Sequence, residues 1–145
     1  MIQLLKVILI GALFVIIPMT AHAASQFNEE MRIFMQGLEK QAKKEEPSFK
    51  GFNAEKGKEI FFKENKSEKH GKISCVTCHT SDLKQKGKNV STGKVIEPLS
   101  PSADSSRLTN VKDVEKWLKR NFNQVYGREG TTIEKGNVLL FIKSN

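Results

Sequence analysis

Hydrophobic residues are scarce in this sequence once the first 23 positions are set aside. The whole chain is 38% hydrophobic, but residues 1–23 hold 17 of the 55 hydrophobic residues. The remaining positions are about 31% hydrophobic, which is thin for a globular domain. A chain of this length has room for one small core, which excludes multidomain machinery and large α/β enzymes. So few apolar residues indicate either disorder or a core that is completed by something other than side chains.

No apolar run of membrane length follows this first segment. Within it, Lys6 gives the start of the segment a positive charge. Residues 7–17 form an apolar run that is too short to span a bilayer comfortably, and Ala21-His22-Ala23 is a small-x-small cleavage site. The pattern predicts a cleaved signal peptide at residues 1–23 and an exported domain at residues 24–145. An uncleaved N-terminal anchor is the alternative, and it too places the domain outside the cytoplasm.

Strand-like alternation is weak throughout, whereas helical spacing of apolar residues recurs. Helices are predicted over residues 25–46, 54–63, 111–125 and 132–142, with a short helical turn at 75–79. Met31 and Met35 lie on the apolar stripe of the first helix and are interpreted as core residues. Residues 64–74 are predicted to form a surface loop and residues 84–110 a long irregular segment. The sequence therefore predicts an all-α fold in one domain.

The most informative motif is Cys75-Val76-Thr77-Cys78-His79, which is C-x-x-C-H. Two thiols one helical turn apart can add to the two vinyl groups on one edge of a haem, and the adjacent histidine then serves as the proximal iron ligand. The motif therefore predicts covalently attached haem c, with His79 as a metal ligand.

Three other uses of the same residues are possible. A structural disulfide between Cys75 and Cys78 would suit a haem-free adhesion or inhibitor domain in an oxidising compartment. A thioredoxin-like redox pair requires a βαβ context, which this sequence lacks. A zinc site would need more ligands, and only His22 and His70 remain.

The sixth iron ligand is not evident, because all four methionines precede the haem motif. His70 lies in a polar loop beside the motif, from which the far side of the haem is hard to reach. On the third long helix, Asn121 falls within the apolar stripe formed by Val114, Trp117, Leu118 and Val125, whereas Asn123 faces solvent. A buried amide needs a partner, which would be backbone or water in the core, or the haem iron.

The chain resembles the SHP-type monohaem cytochromes c over roughly residues 50–145. The shared segments are Phe52-Asn53-Ala54-Glu55-Lys56-Gly57, the haem motif, Gly93-Lys94, Ile96-Glu97-Pro98-Leu99, Pro101-Ser102-Ala103, Val114-Glu115-Lys116-Trp117, Arg120-Asn121 and Gly127-Arg128. The resemblance implies a small class I-like cytochrome c domain with an additional N-terminal helix. In such a fold Gly57 would let its helix approach the last helix near Leu140 and Phe141.

The family's asparagine ligand falls on Asn121. The resemblance therefore implies ferric iron closed by His79 and Asn121, and ferrous iron open to O₂, NO or CO. Trp117 and Leu118 are expected on the distal side of the haem, and Arg107 or Lys94 beside its propionates. The alternative is a plain electron carrier with a different sixth ligand and no ligand-binding role.

Redox partners are also implied. The family works beside a dihaem c-type cytochrome and a membrane b-type cytochrome, in the periplasm. The formal net charge is +8, and lysines flank the haem motif at positions 63, 66, 69, 72, 84, 86 and 88. A positive rim would steer acidic partners, and no nucleic acid is expected for an exported haem protein.

One departure from the family concerns the segment after Asn121. Some members carry a cysteine immediately after the asparagine and another eight residues on, joined in a disulfide. Those positions are Phe122 and Gly130 in this chain. The segment 122–130 is therefore expected to be more mobile.

Overall fold

Helices are the main regular elements in the computed structural model, which describes residues 27–145. The helices are α1 Glu29–Glu45, α2 Ala54–Phe62, α3 Val76–His79, α4 Val111–Tyr126 and α5 Thr132–Lys143. No helix within residues 27–145 is long and apolar enough to cross a membrane. The predicted all-α fold is confirmed, while the signal peptide predicted at residues 1–23 lies outside the described residues.

Two small antiparallel hairpins interrupt the helices. The first pairs β1 Asn65–Ser67 with β2 Gly71–Ile73, and the second pairs β3 Gly87–Lys88 with β4 Val95–Ile96. The first lies where a surface loop was predicted, and the second lies inside the segment 84–110 that was predicted to be irregular. Strands of two or three residues are too short to show alternation, so periodicity could not reveal them.

Side-chain caps begin the helices where the sequence changes from loop to helix. The side chains of Asn53, Asn110 and Thr131 accept hydrogen bonds from the first turns of α2, α4 and α5. At α5 the cap is reciprocal, because the Glu134 carboxylate also accepts from the backbone N–H of Thr131 at 2.8 Å. Such caps satisfy backbone donors that a helix start leaves unpaired.

The crossing of α2 and α5 forms the centre of the core. A Cβ on Gly57 would lie 2.0 Å from the Asn137 carbonyl oxygen and 2.8 Å from Cβ of Phe141, so only glycine allows this approach. The rings of Phe61 and Phe141 pack 5.4 Å apart at the same crossing. The predicted contact of Gly57 with Phe141 is confirmed, and the other close neighbour is Asn137 rather than Leu140.

The additional N-terminal helix α1 packs on the outside of this core. Met31 is fully buried and belongs to the main apolar cluster, and Met35 packs against that cluster, as predicted for core residues. Polar contacts join both ends of α1 to the rest of the chain: the Asn28 side chain donates to the Thr109 carbonyl at 2.7 Å, and Thr132 donates to Glu45 at 3.0 Å.

Candidate haem site

The C-x-x-C-H motif forms the one-turn helix α3. The backbone N–H groups of Cys78 and His79 both donate to the Cys75 carbonyl, at 3.2 and 3.0 Å. The Thr77 hydroxyl accepts a hydrogen bond from the backbone N–H of Ser74, just before the turn, at 2.9 Å. This turn brings the two thiols to one side and leaves the histidine immediately after them, which is the arrangement that attachment of a haem edge requires.

Strand β3 passes so close beneath α3 that Gly87 has no room for a side chain. A Cβ at Gly87 would lie 1.9 Å from the Cys78 carbonyl oxygen and 3.1 Å from the His79 Cα. The hairpin therefore supports the motif from below through a backbone-to-backbone contact. Sequence reasoning missed Gly87, because a close approach between distant segments leaves no local signal.

The surroundings of Cys75 do not favour thiol redox chemistry. Cys75 and Cys78 are both free, with no disulfide between them. Burial, with a contribution from neighbouring Cys78, raises the pKa of the Cys75 thiol to about 12. A thioredoxin-like pair requires the opposite, a thiolate stabilised below its usual pKa. The surroundings of Cys75 thus argue against the redox-pair interpretation.

The His79 imidazole is held neutral in an apolar setting. Burial, and then the positive charge of Arg107, lower the pKa of His79 to about 4. Its Nδ1 atom is buried without a hydrogen-bond partner in the part of the chain that the structure describes, and its ring centroid lies 6.1 Å from that of Phe61. Neutral imidazole is the form that binds a metal, so His79 and the two thiols fit a haem c.

Arg107 connects two loops near this histidine. Its Nε donates to the Pro98 carbonyl at 2.8 Å and its Nη2 to the Glu97 carbonyl at 3.0 Å, and it forms an ion pair with Asp104 at 3.1 Å. The side chain thus secures the loop that carries Ile96-Glu97-Pro98-Leu99. The suggested roles of Arg107 and of exposed Lys94 beside the propionates stay predictions.

Helix α4 presents a buried stripe and a half-exposed edge. The buried residues are Val114, Leu118, Phe122 and Val125. Asn121 is half-buried beside these residues, and its predicted place in the middle of the stripe stays a prediction. Phe122, predicted at the edge, is buried instead, because its ring packs against Gly130 and stacks 5.4 Å from Tyr126.

The side chains next to the haem motif on α4 differ in exposure. Leu118 is buried in the apolar cluster against which Cys75 packs. Trp117 is 45% exposed, with Lys116 Nζ 5.1 Å and Arg120 Cζ 4.9 Å from its ring centre. Contact of Trp117 and Leu118 with the haem therefore stays a prediction.

Two asparagines on α4 behave differently. Within residues 27–145 the Asn121 amide makes no hydrogen bond, whereas exposed Asn123 donates to the Lys119 carbonyl at 2.8 Å. One alternative was that Asn121 is a core residue whose amide binds the backbone. No backbone group in that part of the chain binds the amide. Asn123 faces solvent, as predicted.

Two further predictions concern His70 and the segment 122–130. His70 lies in the turn between β1 and β2, with its Nε2 atom 3.0 Å from the Ser91 hydroxyl, as suits a loop histidine. The segment 122–130 is attached at several points, and its expected greater mobility stays a prediction. Phe122 packs on Gly130, Tyr126 donates to the Ile60 carbonyl at 2.5 Å, and Arg128 binds Glu134.

Comparisons with known proteins agree with this geometry. A family model described as a domain of unknown function, DUF1924, matches residues 47–142. The cytochrome c-type protein SHP of Cereibacter sphaeroides is 42% identical over 90 residues, which are 62% of this chain and 69% of that protein. The chain belongs to the SHP family of c-type cytochromes. The resemblance seen in the sequence is thereby confirmed, and membership implies covalently bound haem c.

Solved structures show the same fold. Oxidized SHP, described as an oxygen-binding cytochrome c, superimposes with a TM-score of 0.67 at 35% identity, covering 77% of this chain and 94% of that chain. Oxidized cytochrome c'' of Methylophilus methylotrophus superimposes with a TM-score of 0.69 at 26% identity, covering 77% and 91%. In sequence, cytochrome c'' is 29% identical over 96 residues, 66% of this chain and 67% of that protein. The predicted small cytochrome c fold is therefore confirmed.

Proposed function

We propose that this chain is an exported redox cytochrome with a single haem c. His79 and Asn121 hold the ferric iron, and the ferrous iron is open to O₂, NO or CO. Export follows from the signal peptide predicted at residues 1–23, and the expected location is the periplasm. The description of its relative SHP as an oxygen-binding cytochrome c supports the ligand-binding part of the proposal.

The observation that carries the proposal is the state of the Asn121 amide. It lies half-buried beside the buried residues of α4 and makes no hydrogen bond within residues 27–145. All four methionines precede the haem motif, so the common thioether ligand is absent from the usual downstream position. An amide in this position that has no partner in the described part of the chain keeps its oxygen available to the iron, which supports Asn121 as the sixth ligand.

His79 and Asn121 have different proposed roles at the iron. Bound haem c supplies an iron that cycles between ferric and ferrous states and takes small ligands when a coordination position is free. The neutral His79 imidazole stays bound in both states. The amide oxygen of Asn121 is a hard, weak donor that suits ferric iron better than the softer ferrous iron. With haem c bound, Asn121 would therefore hold the iron more weakly after reduction, and its position would be open to a small molecule.

Electrons are proposed to come from a dihaem c-type cytochrome or a membrane b-type cytochrome. The seven lysines that flank the motif are all exposed. Lys72 and Lys86 pair with Glu64 and Glu97 at 3.2 and 2.9 Å, while the other five form no ion pair within residues 27–145. The surplus positive charge supports recognition of an acidic partner.

A plain electron carrier is the second candidate function. The lysine-rich surface favours it, since steering of a redox partner needs no free coordination position. The two candidates differ in one property: a plain carrier keeps both axial ligands in the ferrous state, and its spectrum does not change when CO is added.

The role of Asn121 is tested by the ferric absorption and EPR spectra of Asn121→Ala. Loss of the distal amide is expected to replace the spectrum of Asn121-ligated ferric iron with that of an iron that has water or no sixth ligand. Asn123→Ala is the matched control, because Asn123 is an exposed amide on the same helix. Unchanged ferric ligation in Asn121→Ala would remove Asn121 from this role.

A further inference from the structure

A polar, solvent-open cavity of about 340 Å³ lies at the surface between the two hairpins and α4, and residues 75–79 do not line it. Three segments converge on it. The β1–β2 turn contributes Lys69 and His70, the β3–β4 turn contributes Asn89, and α4 contributes Arg120 and Gln124. None of the lining residues is an aspartate or glutamate. The cavity therefore has positive charge on opposite walls and no built-in counter-charge.

The two cations at this cavity are available to a ligand. Lys69 and Arg120 form no ion pair within residues 27–145. The Arg120 guanidinium is instead held 4.9 Å from the centre of the Trp117 ring, a stacking contact that restrains it without neutralising it. A restrained guanidinium loses less entropy when it binds an oxyanion, so the site is partly organised in advance.

The polar side chains of Asn89 and Ser67 at this cavity still have unused hydrogen-bond donors. The Asn89 side-chain oxygen already accepts from the backbone N–H groups of Ser91 and Thr92, both at 2.9 Å, which leaves its NH₂ group. The Ser67 hydroxyl oxygen accepts from the backbone N–H of His70 at 3.3 Å, which leaves its hydrogen. Donor groups beside two cations match a ligand made of oxygen acceptors.

The hairpins that form two of the walls are joined to each other. His70 Nε2 and the Ser91 hydroxyl lie 3.0 Å apart, across the gap between the two turns. This bond keeps Lys69 and Asn89 on neighbouring walls of one cavity rather than on independent loops. The site is thus a feature of the fold and not of a single flexible turn.

We propose that this cavity binds a small inorganic oxyanion. Arg120 supplies paired N–H donors, Lys69 supplies a second charge, and the Asn89 amide and Ser67 hydroxyl complete the donor set. The proposal depends on this surface and not on ligation by Asn121, so either can fail without the other. Gln124, one turn after Arg120, also lines the cavity along α4.

The test is a calorimetric titration of the holoprotein with inorganic phosphate at low ionic strength. One saturable site is expected, and Arg120→Gln and Lys69→Gln should each weaken binding at least tenfold. Lys112→Gln is the matched control, because Lys112 is an exposed lysine on α4 that does not line the cavity. Amide NMR shifts caused by phosphate should map to residues 67–70, 89–92 and 120–124.

Several results would overturn the proposal. These are the absence of saturable binding, equal weakening by Lys112→Gln, which would indicate diffuse charge attraction, and shifts that map elsewhere. If Arg120→Gln does not fold, as judged by its circular dichroism, Lys69→Gln decides the matter from the hairpin turn. The ferric absorption spectrum of Lys69→Gln should match wild type, so a loss of phosphate binding is not confused with a change at the iron.

Discussion

The ring of Phe122 lies directly against Gly130, so that a Cβ added to Gly130 would be 2.8 Å from two carbon atoms of that ring. These are the two positions that some family members join by a disulfide. Phe122 and Gly130 are both buried in this chain. A large ring packed on a residue without a side chain thus holds the end of α4 to the following loop where a covalent bond would otherwise do so.

This contact predicts that Gly130→Ala destabilises the protein. The added methyl group must displace the Phe122 ring, and overpacking of this kind costs roughly 1–3 kcal/mol. Thermal unfolding of the holoprotein, followed by circular dichroism, measures the loss. Gly37→Ala is the control, and it is expected to stabilise the protein. A Cβ at Gly37 meets nothing within 4 Å, and alanine favours the helix by roughly 0.5–1 kcal/mol. A Gly130→Ala protein as stable as wild type would show that Phe122 does not hold this segment.

The ion pair between Arg128 and Glu134 predicts an effect of pH on stability. Hydrogen bonding from Arg128 is the largest of the influences that hold the pKa of the Glu134 carboxyl below its usual range. A carboxyl with a lowered pKa in the folded state stabilises the fold above its unfolded pKa, and that stability is lost as the pH falls. Arg128→Ala should therefore have a lower Tm than wild type at pH 7, with the difference shrinking at acidic pH.

The reference for this experiment is Arg32→Ala, because Arg32 pairs with the exposed Glu29 on the first turn of α1. Exposed pairs contribute little, so its Tm should stay close to wild type across the same pH range. A difference between Arg128→Ala and wild type that persists unchanged to pH 3 would show that Arg128 acts through packing alone.

The lysine rim predicts salt-dependent reduction by an acidic donor cytochrome. Lys66→Gln combined with Lys84→Gln should slow reduction severalfold at low ionic strength and flatten its dependence on salt. Stopped-flow reduction by a dihaem c-type cytochrome measures both. Lys44→Gln on α1 removes an exposed charge remote in sequence from the haem motif and should leave the rate near wild type. A wild-type rate indifferent to salt would contradict steering.

The helices could be predicted from the sequence because their signals are local. Asn53 and the apolar spacing after it mark the start and the face of α2, and the four long predicted helices all occur with small shifts at their ends. The Cys75–His79 turn could be predicted because the whole C-x-x-C-H motif lies within these five consecutive residues. The hairpins escaped prediction because their strands are two or three residues long and are formed by pairing between segments.

The details of the site that depend on tertiary packing could not be predicted. Helical spacing placed Phe122 at the edge of the buried stripe, but Phe122 is buried because its ring packs on Gly130. The need for glycine at position 87 arises only where β3 passes beneath α3. Neither contact has a signature in the residues beside it.

The most direct test of the central claim is the absorption spectrum of the dithionite-reduced wild-type protein before and after addition of CO. The account predicts a five-coordinate ferrous spectrum that converts to a CO-bound form, because Asn121 is a poor ligand for ferrous iron. A low-spin, six-coordinate ferrous spectrum that is indifferent to CO would contradict it and would identify the protein as a plain electron carrier.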